Sequence, residues 1–106
     1  MERRKTIFLK EPLVKKILHG SYHDLAAFAI GEAVGDIRSA AHEKNQDKLN
    51  ACIATLLYWS KAFGITKEVE ERVERIKSYA ERGLWPRVEE ESFSLSLFLA
   101  HKLAEY

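Results

Sequence analysis

The apolar residues of this 106-residue chain recur with the spacing of an α-helix. Every strongly periodic segment has a period near 3.6 residues, and alternation does not extend beyond the few residues around Ile7. Turn-forming residues separate these segments, and joints of about two to five residues make consecutive helices antiparallel. The sequence therefore predicts an all-α fold in a single domain, residues 1–106: a compact up-and-down bundle of four main helices plus a short N-terminal helix.

Glycines, prolines and capping residues divide the chain into five predicted helices. Proline at the first helical position loses no needed N–H, and glycine after the last turn readily adopts a left-handed conformation. Serine or threonine before a helix can accept a hydrogen bond from a free amide. On these signals, a basic arm (1–11) precedes five helices. The first two run from Pro12 to Gly20 and from the Ser21 cap to about Glu43. The last three run from about Lys48 to Phe63, from the Thr66 cap to Gly83, and from Pro86 toward the C-terminus.

The apolar faces predict a place for each of the last three helices. The third is apolar almost all round, so we expect it to be central, with Cys52, Tyr58, Trp59 and Phe63 in the core. The fourth has one narrow stripe and should lie on the surface. The fifth has two stripes, which require two neighbours. These stripes are Val88, Leu95, Leu99 and Leu103, and Phe93, Leu97, Ala100 and Ala104.

Charge and cysteine content restrict the class of protein. The net charge of +1 is not that of a domain that binds nucleic acid through overall electrostatics. A single cysteine, Cys52, fits a reducing cytosol, and no apolar run approaches the roughly 20 residues that span a bilayer. We therefore expect a cytoplasmic protein that does not enter a membrane. Charged residues at 31% are also a balance found in thermophile proteins.

The second predicted helix carries two glycines on the side opposite its broad alanine-rich face. Each mid-helix glycine costs roughly 0.5–1 kcal/mol relative to alanine, so close approach of another helix is the expected reason for the pair. This pattern predicts a non-catalytic module that forms a homodimer or docks a partner helix, with no cofactor. The predicted interface consists of Ala27, Gly31 and Gly35, flanked by Phe28, Arg38 and His42.

Two of these residues support an alternative function in RNA association. The segment from Arg38 to His42 resembles the Arg…His signature of the HEPN ribonucleases, small helical bundles, although fewer residues separate Arg from His here. The spacing places Arg38 and His42 on one helical face, where they could act together on phosphate or pair with Asp24 or Glu43. Basic residues near the N-terminus could add phosphate contacts. These residues are Arg3, Arg4, Lys5, Lys15 and Lys16.

Paired carboxylates give a third reading. Glu32 and Asp36 are like charges one helical turn apart, an arrangement found in magnesium sites of all-α nucleotide pyrophosphohydrolases. The segment from Glu70 to Glu74 resembles the acidic motif of that family, but its second acidic motif is missing from the following helix. The histidines His19 and His23 are separated by Gly20, which places them on different elements. We therefore expect no metal site.

Overall fold

The computed structural model describes residues 22–105, which fold into four α-helices and a short 3-10 helix with no strand in that range. The prediction of an all-α fold is confirmed. The predicted arm, the predicted first helix and the Ser21 cap lie outside the described residues. The helices are α1 (Tyr22–Glu43), α2 (Gln46–Ser60), α3 (Thr66–Glu81) and α4 (Trp85–Ala104), with the 3-10 helix at Lys61–Phe63.

Helix α1 corresponds to the second predicted helix and buries the face that the alanine pattern indicated. The small side chains let the neighbouring helices pack closely against it, because they occupy little of the space between the helix axes. Both flanking alanines, Ala27 and Ala29, are half-buried. The buried residues of α1 are Ala26, Ile30, Ala33, Val34, Ile37, Ala40 and Ala41.

Short turns set the helix boundaries. Lys44 adopts a positive φ of 57°, and the Asn45 side chain accepts a hydrogen bond from the backbone N–H of Lys48. This cap begins α2 at Gln46, two residues before the predicted start. Gly64 and Gly83 have φ values of 67° and 73°, which glycine adopts without steric cost, and both end helices as predicted.

One predicted cap is wrong. The N-cap of α3 is Ile65 rather than Thr66, and its side chain makes no capping hydrogen bond. Thr66 is the first helical residue, and its hydroxyl lies 3.5 Å from the hydroxyl of the buried Ser60, which donates to the Leu57 carbonyl at 2.9 Å. The two hydroxyl groups thus lie near each other at the junction between α2 and α3.

Helix α2 is not the central element that its composition predicted. Its buried residues, Leu49, Ile53, Leu56 and Ser60, form one face, while the opposite face is open to solvent. Tyr58 is 57% exposed, and Cys52, Trp59 and Phe63 are only half-buried. The prediction that these four residues lie in the core is therefore wrong for Tyr58 and only partly right for the others.

The four helices make their main contacts in a closed sequence, α1 with α2, α2 with α3, α3 with α4, and α4 with α1. Helix α3 contributes the single apolar stripe predicted for a surface helix. That stripe consists of Val69, Val73, Ile76 and Ala80. Across α3 and α4, Arg72 donates to Ser94 and Arg75 pairs with Glu91, which shows that these two helices run antiparallel.

Helix α4 buries one of its two apolar stripes and exposes most of the other. Val88, Leu95 and Leu99 are buried in the core. Phe93 and Leu97, from the second stripe, are 51% and 58% exposed. Helix α4 has the two neighbours that were expected, α3 and α1, but the second stripe is not buried between them within residues 22–105. In the same range, no helix is long and apolar enough to cross a membrane.

Candidate interaction face on α1 and α4

The predicted interface residues of α1 lie together on its outer side. An α-helix turns by about 100° per residue, and this rotation places Gly31, Gly35 and His42 opposite the buried face. All three are exposed, as is Arg38. Phe28 is 51% exposed, whereas Ala27 is half-buried at the margin. The structure thus places five of the six predicted residues on one accessible surface.

The two glycines have no steric reason within the described fold. A Cβ atom added at Gly31 or Gly35 would meet no heavy atom within 4 Å, and both residues lie within regular helix. Alanine would therefore fit at either position, and its higher helix propensity would favour it. Among residues 22–105, no atom occupies the space directly above the glycines.

Helix α4 lies antiparallel beside this surface and extends it. The Arg38 guanidinium lies over the Phe93 ring, 5.7 Å from the centroid, and His42 Nδ1 is 3.8 Å from a carboxylate oxygen of Glu89. Because the helices are antiparallel, the residue one turn after Phe93 on α4 lies beside the residues one turn before Arg38 on α1. Leu97 is therefore at the level of the two glycines. We call this surface the α1–α4 face and define it by Phe28, Gly31, Gly35, Arg38, Phe93 and Leu97.

Phe93 and Leu97 were missed as candidate site residues, although the sequence contained a signal for them. Their stripe on the last helix required a neighbour, whereas the glycine pattern indicates a contact surface on the second predicted helix alone. A contiguous exposed apolar surface on a small protein commonly marks a contact with a partner. The pairing of this stripe with the glycines makes the face broader than either helix alone would provide.

An open groove of about 440 Å³ lies at one end of the α1–α4 face. Its lining consists of Gly35, Arg38, Ser39, His42 and Glu89. Arg38 and His42, one helical turn apart, therefore border the same space, as the alternative reading requires. The Glu89 carboxylate lines it as well, which makes the groove less favourable for an anion.

A small polar network borders the groove on the side of α2. Lys48 Nζ lies 3.2 Å from a Glu43 carboxylate oxygen and 3.0 Å from the Ser39 hydroxyl. The Ser39 hydroxyl donates to the same carboxylate at 3.1 Å. The hydrogen bond from Lys48, followed by that from Ser39, lowers the pKa of Glu43 below its ordinary value. The network thus favours the ionised carboxylate at the joint between α1 and α2.

The carboxylates proposed for a metal do not assemble into a site. Glu32 and Asp36 are both exposed on α1. Within residues 22–105, no group of three or more His, Cys, Asp or Glu side chains could hold a metal ion. Glu74 on α3 instead pairs with Lys77 at 3.7 Å, as expected for a solvated helix face.

Aromatic side chains gather where the start of α1 meets the end of α2. The Tyr22 and Trp59 ring centroids are 5.9 Å apart, those of Tyr58 and Trp59 5.1 Å, and those of His23 and Phe63 5.4 Å. These contacts join the ends of the two helices. The predicted phosphate contacts, Arg3, Arg4, Lys5, Lys15 and Lys16, lie outside the described residues, as does His19.

The chain matches no family model, and comparisons with curated proteins and with solved structures also give no match. The α1–α4 face is therefore the strongest basis for a function.

Proposed function

We propose that this protein is a non-catalytic helical interaction module that self-associates through the α1–α4 face. The observation that carries the proposal is the pair of glycines with open space above them. Two residues that weaken a helix, placed where alanine would fit, are explained by a partner that needs the space. The exposed stripe of Phe93 and Leu97 beside them supplies apolar area for the same partner.

The magnitude of the apolar contribution indicates weak association. Burying a whole Leu or Phe side chain contributes about 1.5–3 kcal/mol, so the exposed halves of Phe28, Phe93 and Leu97 would each contribute roughly 1 kcal/mol. A symmetric pair counts each residue twice, giving on the order of 6 kcal/mol against an association cost of about 4–15 kcal/mol. A reversible dimer at high micromolar concentration needs about 4–5 kcal/mol net, so these three side chains do not supply it alone, and close packing of the helices over the glycines would have to add the rest.

We also propose the helix arrangement and the cellular compartment that the sequence predicts. The four described helices would form an up-and-down bundle, completed by the short N-terminal helix in a single domain of residues 1–106. The lone cysteine supports a cytoplasmic location. Alternatively, the same face could dock a helix from another protein. In that case the isolated chain would be monomeric.

Sedimentation velocity over a concentration series tests self-association. Wild-type protein should shift from monomer to dimer, and Gly35→Leu should remain monomeric because its side chain occupies the space needed by the second copy. Ala54→Leu, at an exposed position of α2 away from the face, is the matched control and should dimerise like wild type. A wild type that stays monomeric at high micromolar concentration contradicts self-association, and a Gly35→Leu variant with the wild-type mass contradicts this face.

The groove favours a second candidate function, RNA association through Arg38 and His42, because both residues line it. Binding to single-stranded RNA should weaken with salt, with a logarithmic slope near −0.7 for each phosphate neutralised. Arg38→Ala should reduce this slope, whereas Glu89→Gln should strengthen binding by removing a negative charge from the groove. Failure to shift any single-stranded or hairpin RNA at low salt rejects this candidate, and cleavage that survives His42→Ala excludes HEPN-like catalysis at this site.

A further inference from the structure

The exposed residues Phe28, Gly31, Gly35 and Arg38 form a row along α1 that is aromatic at one end and positively charged at the other. The midpoint of this row lies between Gly31 and Gly35, and the exposed residues five positions from it on either side, Phe28 and Arg38, are an aromatic ring and a cation. From the midpoint outward, the exposed residues at equal distances are Gly31 and Gly35, and then Phe28 and Arg38. A second α1 helix that runs in the opposite direction therefore presents its arginine to Phe28 and its phenylalanine to Arg38.

An antiparallel two-fold pair of helices brings each position opposite the one equally far beyond the midpoint. A parallel pair would instead bring Arg38 against the same arginine of the other copy. We propose that two copies dimerise with their α1 helices antiparallel and crossing at the glycines, so that Phe28 packs under Arg38 of the partner subunit. This inference rests on the proposed function and specifies its partner as a second copy in one orientation.

Arg38 is already placed for this contact within its own subunit. Its guanidinium lies over the Phe93 ring, 5.7 Å from the centroid, within the range of a cation–π interaction. A second ring from Phe28 of the other copy would lie against the opposite side of the same planar group. The arginine would then be held between two aromatic rings and still reach solvent at its edge.

The same rotation brings the exposed stripe of α4 onto its copy. Helix α4 runs beside α1, and the axis that reverses α1 leaves the two α4 helices on the same side of the dimer. Leu97, which lies level with the glycines, would approach Leu97 of the partner subunit near the axis. Phe93 and Leu97, which are about half-exposed among residues 22–105, would thereby gain a further apolar contact.

Opposite charge substitutions at Phe28 distinguish the antiparallel from the parallel arrangement. In the antiparallel dimer, Phe28→Glu faces the partner's Arg38, so dimers should persist and become sensitive to salt. Phe28→Lys faces the same arginine and should dimerise at least about tenfold more weakly than Phe28→Glu, because like charges replace opposite ones at two symmetric contacts. In a parallel dimer, each substituted residue faces its own copy and both variants should lose the dimer.

Cross-linking provides an independent measurement. Phe28→Cys and Arg38→Cys variants would be made in a Cys52→Ser background, one of them with a tag so that the two differ in mass. Each variant alone, and a mixture of the two, would be treated with a short bifunctional maleimide. The antiparallel dimer should give the mixed product and little of either homogeneous one, since ten helical residues span about 15 Å. Homogeneous products from a dimeric protein overturn the orientation while leaving self-association intact. Monomeric wild type in sedimentation overturns the proposed function itself.

Discussion

Replacing Gly31 and Gly35 by alanine should have opposite effects on folding and on association. Neither added Cβ meets an atom within 4 Å, so the change in the monomer reduces to the helix propensity of alanine over glycine. That difference is about 0.5–1 kcal/mol per site, and the double variant should therefore gain roughly 1–2 kcal/mol in free energy of unfolding. For a domain of this size, 1 kcal/mol shifts the melting temperature by about 4–8 °C.

The assay is thermal and urea unfolding followed by circular dichroism at two protein concentrations. In dilute solution, where the chain is monomeric, the double variant should melt on the order of 10 °C above wild type. At high micromolar concentration this advantage should shrink, because wild type gains free energy from dimerisation that the added methyl groups reduce. Ala54→Gly, at an exposed position of α2, calibrates the propensity and should lose about 0.5–1 kcal/mol.

The reasoning is refuted if dilute glycine-to-alanine variants are no more stable than wild type while Ala54→Gly loses the expected amount. The glycines would then have a role inside the monomer. If the variants gain the full stability at every concentration and wild type does not change mass, the glycines are a tolerated weakness of α1 rather than a contact surface.

Three further predictions concern the core, the polar joint and the thiol. Leu56→Ala, at a fully buried position, should lower the free energy of unfolding by about 2–5 kcal/mol in urea denaturation, and a loss below ~1 kcal/mol would contradict its place in the core. Because Lys48 lowers the pKa of Glu43 in the fold, stability from this carboxylate should be present above its ordinary pKa of 4.5 and disappear as the pH falls through the lowered value. Comparing Glu43→Gln with wild type at pH 7 and near pH 3 checks this, and a larger difference at the acid end would reverse the sign. Partial burial, aided by the negative charge of Asp36, raises the pKa of the Cys52 thiol, so its alkylation at neutral pH should be slower in folded than in urea-unfolded protein; equal rates would contradict this.

The helix boundaries were predictable because they depend on residues close in sequence. Gly64 and Gly83 adopt positive φ where they end helices, and Pro86 lies in the first turn of α4. The alanine-rich face of α1 was also predictable, because helical periodicity decides which residues share a side. These features depend on one helix at a time.

The placement of whole faces could not be predicted in the same way. Periodicity shows that a face is apolar but not whether another helix covers it. Tyr58 on α2 and Leu97 on α4 both belong to faces that the composition predicted to be buried, and both are more than half exposed. Their exposure depends on how four helices share a limited core, which is a property of the assembled chain. The α1–α4 face was half predicted for this reason, with α1 identified and α4 missed.

The contact between α1 and α4 also has a consequence for the order of folding. It is the one main contact within residues 22–105 that joins helices not consecutive along the chain. The other helix pairs are hairpins of low contact order and can form locally, whereas this contact pays the entropy of closing a long loop. On the ribosome, α1 is exposed well before α4 emerges. The proposed partner of the α1–α4 face would therefore bind only after α4 has packed against α1, so that assembly would follow the folding of these two helices.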